Sequence, residues 1–127
     1  TLGRVAFQRQ QERVMPLLAL DITHSDPTTV KSTAIAEQRA RLFEAIESVG
    51  AVVRLRAPFN LVIATHLAQS RAYLRQQIAD LFAPELAAHT AAAQVLSAAD
   101  VLASFESWRL LRDTPQSRPY EEASRRE

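Results

Sequence analysis

The sequence predicts an all-α protein, an antiparallel bundle of about five helices forming one domain over residues 1–127. Three observations predict it. Glycine occurs only at Gly3 and Gly50 and Asn60 is the only asparagine, so the Asn-Gly and Asp-Gly turns that close β-hairpins are missing. Alanine, leucine, arginine, glutamine and glutamate dominate, and these side chains lose least on entering a helix. Apolar residues also recur at helical spacing along most of the chain. With 47% hydrophobic and 23% charged residues the composition is that of a folded domain, and 127 residues are enough to enclose one core.

The first element, a connector helix over residues 1–22, places Leu2, Val5, Ala6, Val14, Leu17 and Leu18 around a polar middle from Gln8 to Arg13. Pro16 removes a backbone donor and clashes with the preceding turn, so a kink is expected there. The turn-forming run Thr23 to Pro27 follows, with Asp26 as the expected cap and Pro27 as the first residue of a second helix over 26–57. Its apolar stripe is Ile35, Leu42, Ile46, Val49 and Val53. Gly50 weakens it by about 1 kcal/mol relative to alanine and permits close packing or a bend.

Pro58 excludes Ala57 from helical geometry, and Asn60 is the expected cap of a third helix over 60–83. That helix carries the stripe Ile63, Leu67, Leu74, Ile78, Leu81 and Phe82, and Pro84 ends it. A fourth helix over 90–112, capped by Thr90, has a different character. Val95, Leu96, Val101, Leu102, Phe105, Trp108, Leu110 and Leu111 cover most of its circumference. A helix apolar on more than one side is expected to pack against its own chain and against a second subunit, which points to a homodimer. Val95, Val101, Phe105 and Trp108 are its expected interface residues. Residues 117–127 begin a fifth helix, and the start at Thr1 and stop at Glu127 are expected to be cuts in a longer protein.

Composition narrows the chemistry. With no cysteine there is no disulfide framework, thiolate nucleophile or cysteine-based metal site, which fits a reducing cytoplasm. No apolar run reaches membrane-spanning length, so a soluble cytoplasmic protein without membrane contact is expected. A net charge of +1 is too small for the phosphate grip of a DNA-binding surface. Fourteen arginines stand against Lys31 as the only lysine, which with the abundant alanine suggests a high-GC bacterial source.

Four polar residues on otherwise apolar helical surfaces are candidate ligand contacts: His66 and Ser70 on the third helix, Glu106 on the fourth and, more weakly, Gln38 on the second. The competing reading makes each a buried polar group satisfied by nearby backbone, or an exposed residue at a bundle edge. Phe105 and Trp108 are read more readily as core than as the wall of a cofactor site. No metal site is expected, because Glu85 and His89 have the wrong interval for a helical carboxylate–histidine pair and no second copy exists. Serine, histidine and aspartate occur without nucleophile-elbow glycines, so neither a catalytic residue nor a cofactor is expected.

The order of features resembles the C-terminal ligand-binding and dimerisation portion of tetracycline-repressor-like (TetR-family) transcriptional regulators. The resemblance is carried by Arg13-Val14-Met15-Pro16-Leu17-Leu18, the run Arg39 to Ile46, Leu55-Arg56-Ala57-Pro58-Phe59, Phe82-Ala83-Pro84-Glu85-Leu86 and the run Ser104 to Arg112. It implies a bundle around a pocket for a small apolar or amphipathic effector, a dimer interface built from the last two helices of each subunit, and repressor activity. Operator DNA would be contacted only through an N-terminal helix-turn-helix unit that this sequence lacks. Because pocket residues vary across that family, the resemblance transfers no ligand contact to a position here. The alternative is a helical scaffold or adaptor that binds a protein partner and senses nothing.

Overall fold

The computed structural model describes residue 9 and residues 12–114, and among these there are helices and turns but no strand. The expected fifth helix, 117–127, and residues 1–8, 10 and 11 of the expected connector lie outside the described residues. Five α-helices follow one another: α1 (Thr28–Arg56), α2 (Leu61–Leu81), α3 (Ala83–Ala87), α4 (Ala92–Leu102) and α5 (Phe105–Asp113).

Residues 12–14 are helical and tighten into a 3-10 turn over Met15–Leu18, with Pro16 in its first turn. The chain then extends at Ala19, so the connector's helical part stops before residue 22. The Leu18 carbonyl is instead taken by two side chains: Gln38 Nε2 and Gln77 Nε2 each donate to it at 2.7 Å. This arrangement ties the N-terminal segment to both α1 and α2.

Asp26 does not cap α1. Its Oδ2 accepts from the Thr23 amide at 2.8 Å and closes the preceding turn, leaving Pro27 at the cap position without a side-chain bond. α1 is the 29-residue axis of the fold, and Lys31, Ile35, Gln38, Arg39, Leu42, Phe43 and Gly50 are its buried positions. Of the expected stripe only Ile35 and Leu42 are buried; Ile46 and Val53 are half-buried and Val49 is exposed, while Lys31, Gln38, Arg39, Phe43 and Gly50 fill the rest of the inward face. Pro58 does not exclude Ala57 from helical geometry: Ala57 is right-handed helical at φ −52°, ψ −41° and opens a 3-10 turn, Ala57–Phe59, that reverses the chain. Asn60 Oδ1 then accepts from the Val62 and Ile63 amides, capping α2 as its sequence position predicts. Lys31 bonds the Leu81 carbonyl and Arg39 the Leu74 carbonyl, so α1 and α2 run antiparallel.

Two apolar clusters fill the interior. Ile35, Ile78 and Leu81 gather Leu20, Ile22, Phe82, Leu96 and Ala99 around them. Leu42, Phe43 and Phe105 gather Val14, Leu17, Leu18, Ile46, Leu74 and Trp108.

The expected fourth helix, 90–112, is two helices, α4 and α5, separated at Ala103 and Ser104. Ser104 makes the break: its Oγ donates to the Val101 carbonyl at 2.6 Å and accepts from the Ser107 amide at 3.2 Å, starting a new helix. Thr90 does not cap α4, whose cap position is Ala91. The break also rotates the apolar surface. Phe105 turns inward and is 2% exposed, meeting Phe43 edge to face at 5.7 Å, and Trp108 packs beside them at 6.0 Å from Phe43. Of the four expected interface residues, Phe105 therefore belongs to the chain's own core and Trp108 packs against it. Val95 and Val101 face outward, together with Leu102, Leu110 and Leu111.

Candidate functional site

A cavity of about 710 Å³ lies between the N-terminal segment, α1 and the first half of α2. Leu42 and Ile46 of α1 form its floor, and Val14, Met15 and Leu18 of the N-terminal segment close one side. The facing wall is α2, which contributes His66, Gln69, Ser70, Tyr73 and Leu74. These positions repeat at helical spacing, so they stand in one file on one face. Glu12 completes the lining and, like Gln69 and Ser70, is solvent-exposed, so the cavity opens on that side.

The local sequence explains why the space exists. α2 packs closely on α1 through Ile78 and Leu81 near its C-terminal end, whereas nearer its start the file along the cavity becomes the half-buried His66 and the exposed Ser70. Small and polar side chains cannot fill the volume that leucines would occupy. The N-terminal segment then roofs this volume rather than filling it.

His66 and Ser70, two of the four candidate ligand contacts, are thus brought to one wall. The other two lie elsewhere. Gln38 is fully buried in a closed network: its amide donates to the Leu18 carbonyl and its Oε1 accepts from Arg39 Nη1 at 3.0 Å. Both ends of the amide are satisfied inside the core, which leaves it no group to offer a ligand.

Glu106 sits on the surface as the centre of a cationic clasp. Arg54 Nε of α1 donates to its Oε1 at 2.7 Å and Arg71 Nη2 of α2 donates to the same oxygen. Partial burial pushes this carboxyl upward, but the bonds from Arg54, its own backbone amide and Arg71 outweigh it and hold the group at about 2. One carboxylate therefore joins three helices, α1, α2 and α5.

Sequence reasoning missed two features of this region. Tyr73 and Gln69 extend the polar file of the cavity wall, and their spacing from His66 and Ser70 was the available signal. Arg39 is 3% exposed, donates to Gln38, Gln77 and the Leu74 carbonyl, and has a buried Nε without a partner among the described residues. Burial pushes its guanidinium down to about 10 despite the opposing influence of Asp100 and Tyr73. An arginine in an apolar helical stripe gave no sign that it would be interior.

Among the described residues no three His, Cys, Asp or Glu side chains converge as a metal site would require, and no helix is long and apolar enough to cross a membrane. Comparison with family models, with curated proteins and with solved structures returns no match.

Proposed function

We propose that this chain is the effector-binding and homodimerisation portion of a TetR-like transcriptional regulator, a repressor whose operator affinity is set by a small apolar or amphipathic ligand. The observation that carries this reading is the composition of the cavity wall. A ligand seated against His66 and Ser70 also touches Met15 and Leu18, so it contacts both the bundle and the segment leading toward the chain's N-terminus. A volume of about 710 Å³, apolar in body with a file of polar groups on one side, suits a small organic molecule. Nothing in this mechanism requires a covalent step.

Linkage supplies the function. If ligand binding favours one position of the N-terminal segment, and that position differs in operator affinity, the two equilibria are coupled, typically by about 1 to 3 kcal/mol. The Leu18 carbonyl, held by Gln38 and Gln77, is the hinge point of such a movement. The outward residues Val95, Val101, Leu102, Leu110 and Leu111 supply the apolar surface for a second subunit.

A thermal-shift screen of apolar and amphipathic compounds tests the ligand-binding half. Compounds that raise the melting temperature of the chain should lose that effect in Ser70→Trp, which fills the cavity. Hits that act equally on both proteins would remove the cavity from the reading. Light scattering tests the other half, and a monomer at micromolar concentration would contradict the dimer.

The adaptor reading has one observation in its favour. Leu55, Phe59, Leu61 and Val62 form an apolar tip where α1 turns into α2, with Phe59 89% exposed. If that tip is the working surface, Phe59→Asp should abolish partner binding while Ser70→Trp leaves it unchanged.

A further inference from the structure

We infer that the cavity beneath Met15 selects organic cations: an apolar body bearing one positive head, held with the head at Glu12. The inference rests on the ligand-sensing reading above and adds to it the charge of the ligand.

The argument begins with what lines the space. Among the described residues that line it, Glu12 is the one carboxylate and there is no arginine or lysine. Two other surface depressions are bordered by arginine, Arg54 and Arg109 beside α5 and Arg39 between α1 and α4, whereas those lined by Asp80 and by Glu37 are not. An anion entering the Met15 cavity would lose hydration with no arginine or lysine among the described lining residues to receive it and with His66 as their one basic side chain, a penalty in a mostly apolar volume.

A cation meets the opposite environment. None of the ion pairs among the described residues uses Glu12, so its carboxylate is not committed to an arginine among them. It stands at the open side, where a charged head can remain partly hydrated while an alkyl or aryl body lies on Leu42 and Ile46. The Tyr73 ring and the Met15 thioether offer polarisable surface nearby, and both interact favourably with cationic and aromatic groups. A neutral amphiphile of the same shape would gain the apolar contacts without the charge.

Three probes of equal chain length separate these possibilities: decyltrimethylammonium, 1-decanol and decanoate, each titrated calorimetrically below its aggregation concentration into the full chain. The ammonium should bind about two- to fivefold tighter than the alcohol, the discrimination expected from one largely solvated charge pair, and decanoate should bind weakest. In Glu12→Gln, with unchanged helical circular dichroism, the ammonium should fall to the level of the alcohol, and alcohol binding should persist. Ser70→Trp should remove all three.

Equal affinity for ammonium and alcohol, tighter decanoate binding, or an ammonium affinity insensitive to Glu12→Gln would overturn the charge preference while leaving a ligand cavity in place. Failure of every probe to bind, or binding of all three unchanged in Ser70→Trp, would overturn the cavity reading itself and this inference with it.

Discussion

Gly50 of α1 and Phe105 of α5 meet so closely that a Cβ placed on the glycine would lie 3.1 Å from the ring edge. The ring cannot readily retreat, being buried edge-on to Phe43 and stacked under the Arg54 guanidinium at 4.1 Å. Gly50→Ala therefore sets a helix-propensity gain of up to about 1 kcal/mol against overpacking of about 1 to 3 kcal/mol. The expected result is a net loss of about 1 kcal/mol in urea unfolding. Stabilisation by this substitution would show that the aromatic cluster yields easily.

Lys31 is fully buried, and its ammonium bonds the His24 carbonyl at 2.9 Å, the Leu81 carbonyl at 3.2 Å and the Glu85 carboxylate. It joins the turn before α1 to the corner between α2 and α3. Lys31→Met keeps the aliphatic packing but strands these acceptors, and should cost about 3 to 5 kcal/mol. Glu85→Gln should cost less, because that side chain is one-third exposed and its amide still accepts a hydrogen bond. A Lys31→Met protein as stable as the parent would contradict the buried latch.

Gln38 and Gln77 share one acceptor, the Leu18 carbonyl, and both also accept from Arg39. Arg39→Lys cannot reproduce the forked donation to Gln38, Gln77 and the Leu74 carbonyl, and should destabilise by about 2 kcal/mol. The Gln38→Ala and Gln77→Ala effects should be non-additive, since the second loss acts on a carbonyl whose other donor is already gone. A double-mutant cycle by chemical denaturation measures the coupling, and strict additivity would mean that the network does not act as a unit.

The Glu106 clasp predicts an acid-sensitive contribution. The folded pKa, about 2, lies below the ordinary 4.5, so the carboxylate's stabilisation is complete above about 4.5 and is lost as pH falls toward about 2. The stability difference between the parent and Glu106→Gln should accordingly be constant near neutrality and shrink across that acidic window. Because the side chain is 48% exposed, the difference should also weaken in high salt. A difference independent of pH would mean that the arginines bind Glu106 too weakly to matter.

The outward faces of α4 and α5 carry the proposed subunit contact. Leu102 is 73% exposed and Leu111 53% exposed, so an aspartate at either should leave the chain's own fold nearly unchanged. In light scattering each variant should convert a dimer to a monomer. Retention of the dimer in both would move the contact elsewhere, whereas Phe105→Asp would be uninformative because that ring lies in the chain's own core.

What the sequence by itself determined was the helical class and the approximate spans of α1 and α2, because those follow from local chemistry. Sparse glycine, three-and-four apolar spacing and the Asn60 cap act on their immediate neighbours and need no distant partner to operate. Tertiary structure alone decided the rest. Ser104 divides an apolar run that reads as continuous, since a hydroxyl's choice between capping and facing solvent depends on what Phe105 and Trp108 can pack against. Gln38 and Arg39 became interior because Leu18, Leu74 and Gln77 arrive from elsewhere in the chain to receive their hydrogen bonds. His66 and Ser70 line a cavity, while Glu106 holds a surface clasp, because only the folded arrangement determines which polar group borders a cavity and which meets an opposite charge.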